Sequence, residues 1–229
     1  MKIQKIDNIE LHFDPNVDSE VEIKKSVQSA YEKNKLFFGC PLANKLEIRI
    51  LYDREEMDSV LGFKTESWVV GATPNGTICI FSPKIFDKVS SHPVSNFVPV
   101  LTHEMAHIFT DELFRFYQPK WLHEGLAGHV AEQYKNIYLK KITNFEELHS
   151  KKDWWKDPKY PQASCFTTFL IEKFGKEQFL KFLKNLSENE EARKTFVTFT
   201  KLFKNNFSTD FQKISQEWKK RVKGIRYPF

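Results

Sequence analysis

The sequence predicts an α+β fold, and three observations predict it. Short runs of alternating apolar and polar residues, bounded by turn residues, are confined to the first third of the chain. Segments with helical period dominate beyond it, striped by many of the 22 phenylalanines. Strands followed by helices, rather than strands alternating with them, indicate segregated elements instead of a βαβ array. The expected arrangement is a small mixed sheet with one central helix, spanning 1–113, followed by a mostly helical subdomain over 114–229.

The elements follow in order. Residues 6–13 read as a strand, stopped by Asp14-Pro15-Asn16. A helix is expected over about 18–38, where Val21, Ile23, Val27, Ala30, Tyr31 and Leu36 recur roughly every turn and Gly39 closes it. LEIRILY, from Leu46, alternates as a half-buried strand, and residues 54–61 suit a short helix. In SWVVGATPNGTICIFSP, Asn75-Gly76 favours positive φ and predicts a hairpin whose second arm is 77–81.

Next comes a helix capped by Asn96, with Pro99 at its third position, where a missing N–H costs nothing. Its stripe is Val98, Leu101, Met105, Ile108 and Phe109, with His103 and His107 beside it. KWLHEGLAGHVAEQY reads as a second helix with Leu122, Leu126, Val130 and Tyr134 on its apolar face, and 136–160 reads as irregular. Four amphipathic helices complete the chain. Their stripes are Phe166, Phe169, Leu170 and Phe174; Phe179, Phe182, Leu183 and Leu186; Phe196, Phe199, Leu202 and Phe203; and Phe211, Ile214 and Trp218, the last capped by Ser208. Gly175 terminates the first of them.

Composition excludes several functions. The formal charge is +5, from 35 basic and 30 acidic residues, too small an excess to imply a nucleic-acid partner. The basic run Lys219, Lys220, Arg221, Lys223 and Arg226 reads as a solvated helix end, where the helix dipole favours cations. MKIQKIDNIELHFDPN contains no apolar run long enough for a signal peptide or a membrane span, so a cytoplasmic protein is expected. Cys40, Cys79 and Cys165 lack metal-ligand spacing and read as reduced core residues.

The chemistry is concentrated in LTHEMAHIF. Positions i and i+4 share a helix face, so His103 and His107 can present two imidazole nitrogens to one ion. Glu104, beside the first, can reach an activated water without binding the ion itself. A catalytic zinc needs a third protein ligand and an open position, and Glu124 in WLHEGLA, 17 residues past His107, is the candidate. Gly125 and Gly128 are expected to let the two motif-bearing helices approach closely.

HEMAH followed by WLHEGLA resembles the gluzincin zinc metallopeptidases, most closely the small bacterial and archaeal peptidase MA-like domains. The likeness extends through GTICIFSP, YPQASCFTTFLIEKFGKEQFLKFL and FSTDFQKISQEW. It implies a zincin-like fold with HEMAH on the active-site helix, Zn2+ as cofactor, and His103, His107 and Glu124 as ligands. Glu104 would be the general base, and a peptide or protein the substrate. It further implies an oxyanion donor, for which Tyr160 is the candidate, with His123 and His129 behind it. An edge strand pairing with substrate is also implied, and the arm Gly76, Thr77, Ile78, Cys79 and Ile80 resembles it. GATPNG stands where aminopeptidase relatives carry an exopeptidase motif, and Gly128 stands where thermolysin-like relatives carry an acidic partner for a ligand histidine, leaving Asp111 as a substitute.

Two other readings compete. One is a zincin-fold binding or sensing module with a metal site and no physiological proteolysis, which an intact Glu104 argues against. The other is a basic-surface protein whose C-terminal lysines give salt-sensitive binding. Trp154 and Trp155 read as a packing plug under a long loop, in preference to a groove lining.

Overall fold

The computed structural model describes residues 1–134, 139, 141–151, 154 and 159–224; Trp155 and Arg226 lie outside them. The chain is mixed α+β, with one five-stranded sheet and many helices. It divides into two units, Met1–Glu112 and Leu113–Phe229.

The first unit begins with β1 (Lys2–Ile6) and β2 (Ile9–Phe13), followed by α1 (Glu20–Phe38), β3 (Leu46–Leu51) and α2 (Arg54–Leu61). After these come β4 (Gly71–Ala72), β5 (Thr77–Phe81), α3 (Phe86–Val89) and most of α4 (Phe97–Phe114). The single strand expected over 6–13 is a correction. The chain turns at Asp7, φ 51, and folds back so that Ile6 opposes Ile9. Asp and Asn tolerate the left-handed conformation that a two-residue hairpin turn needs.

Strand order is β1-β2-β3-β5-β4, with β2, β3 and β5 mutually parallel and β1 and β4 antiparallel to their neighbours. The hairpin at Asn75 (φ 52) and Gly76 (φ 79) forms as their residue types require. Its second arm, however, is not the sheet's edge. β5 pairs with β3 on one side and β4 on the other, where Gly71 opposes Ile80 and Ala72 opposes Cys79. Ile78, Cys79, Ile80 and Phe81 are all buried, the pattern of a strand covered on both faces. The edge is the two-residue strand β4.

Two polar side chains hold this unit in register. Asn34 of α1, fully buried, donates to the Ala30 carbonyl at 2.9 Å and to the Thr102 carbonyl of α4 at 3.1 Å. With both donors of this buried amide paired, one geometry is favoured, because any slippage would strand them. Arg54 donates to Thr65 Oγ1 and to the carbonyls of Glu66, Ser67, Val69 and Val89, with its guanidinium 4.7 Å from the Phe81 ring centroid. It thereby anchors the loop that leads into β4.

α4 is less amphipathic than its stripe predicts. Every residue from Val100 to Thr110 is buried except Ile108, which is half-buried. A helix enclosed on nearly every side is a core helix. Its hydroxyls are satisfied internally, Thr102 Oγ1 donating to the Val98 carbonyl at 2.8 Å and Thr110 Oγ1 to the Ala106 carbonyl at 2.7 Å. Asn96 ends a 3-10 turn immediately before α4, whose third residue is Pro99, and its side-chain Nδ2 lies 3.2 Å from His92 Nδ1.

The second unit contains α5 (Lys120–Val130), α6 (Phe145–Ser150), α7 (Tyr160–Phe174), α8 (Lys176–Ser187), α9 (Glu190–Lys194), α10 (Phe196–Phe207) and α11 (Phe211–Gly224). Trp121 is ringed by Phe145, Phe166, Phe199 and Phe211, with centroids between 5.1 and 6.3 Å away. Such tilted and edge-on contacts add to what burial alone contributes.

Several expectations need correction here. The stretch read as irregular contains α6, where Asn144 Oδ1 accepts the Glu146 N–H at 3.0 Å. α5 ends at Val130, so Tyr134 lies beyond it. Ser208 is the left-handed residue closing α10, φ 54, instead of the cap of α11. Trp154 is buried against Tyr160, centroids 5.8 Å apart, as a packing residue. Among the described residues, no helix is long and apolar enough to cross a membrane.

Candidate metal centre

The helical spacing of His103 and His107 places their rings 4.7 Å apart and nearly perpendicular on α4. They are 8% and 5% exposed, which excludes the reading of two surface histidines on a solvated helix. Glu124, in the middle of α5, is 4% exposed. Among the described residues, one donor atom from each of His103, His107 and Glu124 comes within 4.8 Å of the other two.

The donor set suits a metal ion. Two ligands at about 2.1 Å in tetrahedral geometry stand roughly 3.4 Å apart, so the group needs to contract by no more than about 1.4 Å to hold one. Two imidazoles and a carboxylate are ligands suited to a divalent first-row metal ion. Three buried polar side chains with this chemistry are costly to assemble without a charge to share them.

Glu104 is buried on the same helix and faces the edge strand. A Cβ added to Gly71 of β4 would fall 3.0 Å from Glu104 Cγ, 3.2 Å from Glu104 Oε1 and 2.9 Å from Val100 Cγ1. The edge strand therefore runs against the glutamate with only a hydrogen between them. GATPNG contributes through this first glycine, a role invisible from spacing alone.

The glycines of WLHEGLAG lie against α7. A Cβ on Gly125 would fall 2.3 Å from Thr167 Oγ1 and 2.6 Å from the Ala163 carbonyl oxygen. One on Gly128 would fall 2.9 Å from Ser164 Cβ and Oγ. Both admit α7 to the backbone of α5. The same contact explains why Gly128 carries no carboxylate: α7 fills that space. Asp111 is exposed on the last turn of α4.

Tyr160 is half-buried at the start of α7. His129 Nδ1 lies 2.9 Å from Thr168 Oγ1, and His123 is buried between the rings of Phe116 and Tyr117, at 6.4 and 6.1 Å. Of the arm 76–80, Gly76 is exposed, Thr77 half-buried, and Ile78, Cys79 and Ile80 buried. Burial pushes the Cys79 thiol up to about 11, against the effect of nearby Arg49. No disulfide forms; Cys79 is buried, and Cys40 and Cys165 are half-buried rather than core.

Two residues beside Glu124 were not among the site candidates read from the sequence, where Tyr134 figured only as part of an apolar helix face. Lys120, one turn earlier on α5, places Nζ 2.7 Å from Glu124 Oε1. Tyr134 sits in a left-handed conformation, φ 59, and burial, reinforced by the charge of Glu124, pushes its phenol up to about 12. Its backbone is pinned by Cys165 Sγ, which donates to the Tyr134 carbonyl at 3.4 Å. Only the i, i+4 spacing of Lys120 was a usable signal.

No family model matches the chain. Among curated proteins, it is similar to the uncharacterized protein YhcO of Bacillus subtilis (strain 168), 22% identical over 213 residues. The match covers 83% of this chain and 64% of that protein, so the chain spans less than two thirds of its relative.

Proposed function

We propose that this chain is a zinc-dependent peptidase with a zincin-like, gluzincin-type centre, acting on a peptide or protein. The observation that carries the reading is the buried convergence of His103, His107 and Glu124, with Glu104 next along the helix. An ion held there would supply Lewis acidity, polarising the scissile carbonyl and acidifying water. Glu104 takes the water's proton and passes it to the leaving amine. Its near-complete burial strengthens that proton transfer, since few solvent dipoles compete for its charge.

The outer side of β4, the last strand in the sheet order, is the place for an extended substrate backbone, because its inner side is paired with β5 and Gly71 lies against Glu104. Backbone pairing gives affinity with little dependence on side chains. Tyr160 and Tyr134 are the candidates to donate to the developing oxyanion. Three cysteines without a disulfide fit a reducing, cytoplasmic setting.

The test is metal content together with cleavage of an unbiased peptide library, for the wild type and Glu104→Gln. Stoichiometric zinc in both, with cleavage reduced at least about 100-fold in the variant, is the expected result. Zinc without cleavage in either form favours the binding or sensing module. A protein that takes up no metal on loading sinks the site.

A further inference from the structure

The Glu124 side chain is only 5% exposed, and Lys120 reaches it, Nζ to Oε1 at 2.7 Å, with a side chain only 22% exposed. Ordinary helix economy does not explain this lysine. It is the first residue of α5, at the positive end of the helix dipole, where cations are disfavoured. It also precedes its glutamate by four residues, the weaker orientation for an i, i+4 pair. What does explain it is the cost of leaving a buried carboxylate without a counter-charge.

We propose that Lys120 is a built-in substitute for the metal: its ammonium neutralises Glu124 in the metal-free protein and must give way when the ion binds. This rests on the metal reading above. Two cations cannot both sit against one buried carboxylate without repulsion, so the lysine weakens metal binding while it keeps the empty site assembled. The side chain has a second seat. Its Nζ lies 5.9 Å from the centroid of the Tyr117 ring, whose face attracts a cation, and Tyr117 is 63% exposed. Rotation toward that ring carries the ammonium to solvent and leaves Glu124 to the ion. The consequence is a centre that responds to zinc availability, its affinity set by an exchange between two cations.

Zinc affinity is measured by competition with a chromophoric chelator, and thermal unfolding with and without zinc, for the full chain as wild type, Lys120→Met and Lys120→Arg. Lys120→Met is expected to bind zinc at least about tenfold tighter, to unfold at lower temperature when metal-free, and to recover with zinc. Lys120→Arg keeps the charge and stays within about threefold of the wild type. Zinc taken up by Lys120→Met and not by the wild type also supports the exchange. Equal or weaker binding by Lys120→Met overturns it while leaving the metal site standing. A Lys120→Met protein that stays unfolded in saturating zinc overturns it too, since the ion then fails to replace the lysine's charge. No uptake by any of the three overturns both readings together.

Discussion

Replacing Gly71 with alanine adds one methyl group against the proposed general base. Its φ is not positive, so alanine brings no backbone strain and the effect is steric. The new carbon would lie 2.9 Å from Val100 Cγ1 and 3.0 Å from Glu104 Cγ. Carbon atoms rest about 3.5–4.0 Å apart, so the overlap is roughly 0.5–1 Å. Val100 is buried in α4 and held by its neighbours, and the Glu104 side chain is the part that can move. Misplacing a reacting group by about 1 Å costs on the order of 100-fold, so kcat/KM for peptide cleavage should fall roughly 10- to 100-fold, about 1.4–2.7 kcal/mol. Overpacking should cost stability by about 1–3 kcal/mol, read from the denaturation midpoint. Zinc stoichiometry should not change, because the three atoms nearest the added methyl group belong to Val100 and Glu104, neither a proposed ligand. A folded Gly71→Ala protein with full activity would refute the argument that β4 abuts the general base, and loss of zinc alongside activity would place the damage in the ligand set instead.

The other predictions concern stability. Gly125→Ala puts its methyl group 2.6 Å from the Ala163 carbonyl oxygen, which is backbone and cannot rotate away, so a loss of about 3 kcal/mol is expected; an unchanged urea midpoint would mean that α5 and α7 separate at little cost. His149, 3% exposed and edge-on to Phe199 at 4.9 Å, has its imidazole depressed by burial to about 4, partly offset by the backbone of Ala192 and Arg193. A histidine depressed on folding contributes stability that is present above its unfolded value, near 6.5, and lost as pH falls toward 4. The shift is worth about 3 kcal/mol, so a His149→Phe protein should outlast the wild type by roughly that margin at pH 4 relative to pH 7. A stability difference between the two that does not vary with pH would show that His149 is not held neutral.

How much was legible follows from the range of each interaction. Helix existence was readable wherever apolar residues kept a single period, because one buried face is enough to specify it, as in α1, α7, α8, α10 and α11. Short elements were not. α6 and α9 have six and five residues, too few for a period to show, and depend on the caps Asn144 and Asn189. The hairpin at Asp7-Asn8 was missed because its outer strand is largely exposed and lacks alternation. Ser208 was misassigned because a serine suits either helix end, and only the backbone angle decides.

At the candidate centre the division is the same. Sequence alone determined that His103 and His107 share a helix face, that Glu104 adjoins them, and that Asn75-Gly76 turns the chain, because each depends only on residues within about one helical turn or hairpin. That Glu124 comes within 4.8 Å of the histidines, that β4 rather than β5 is the edge, and that Gly125 and Gly128 receive α7 are results of tertiary packing. The same holds for the pairing of buried Glu124 with Lys120, whose spacing was visible but whose meaning was not. Burial decides whether an ion pair is a weak surface contact or the charge on which a site depends, and burial is set by residues distant in the chain.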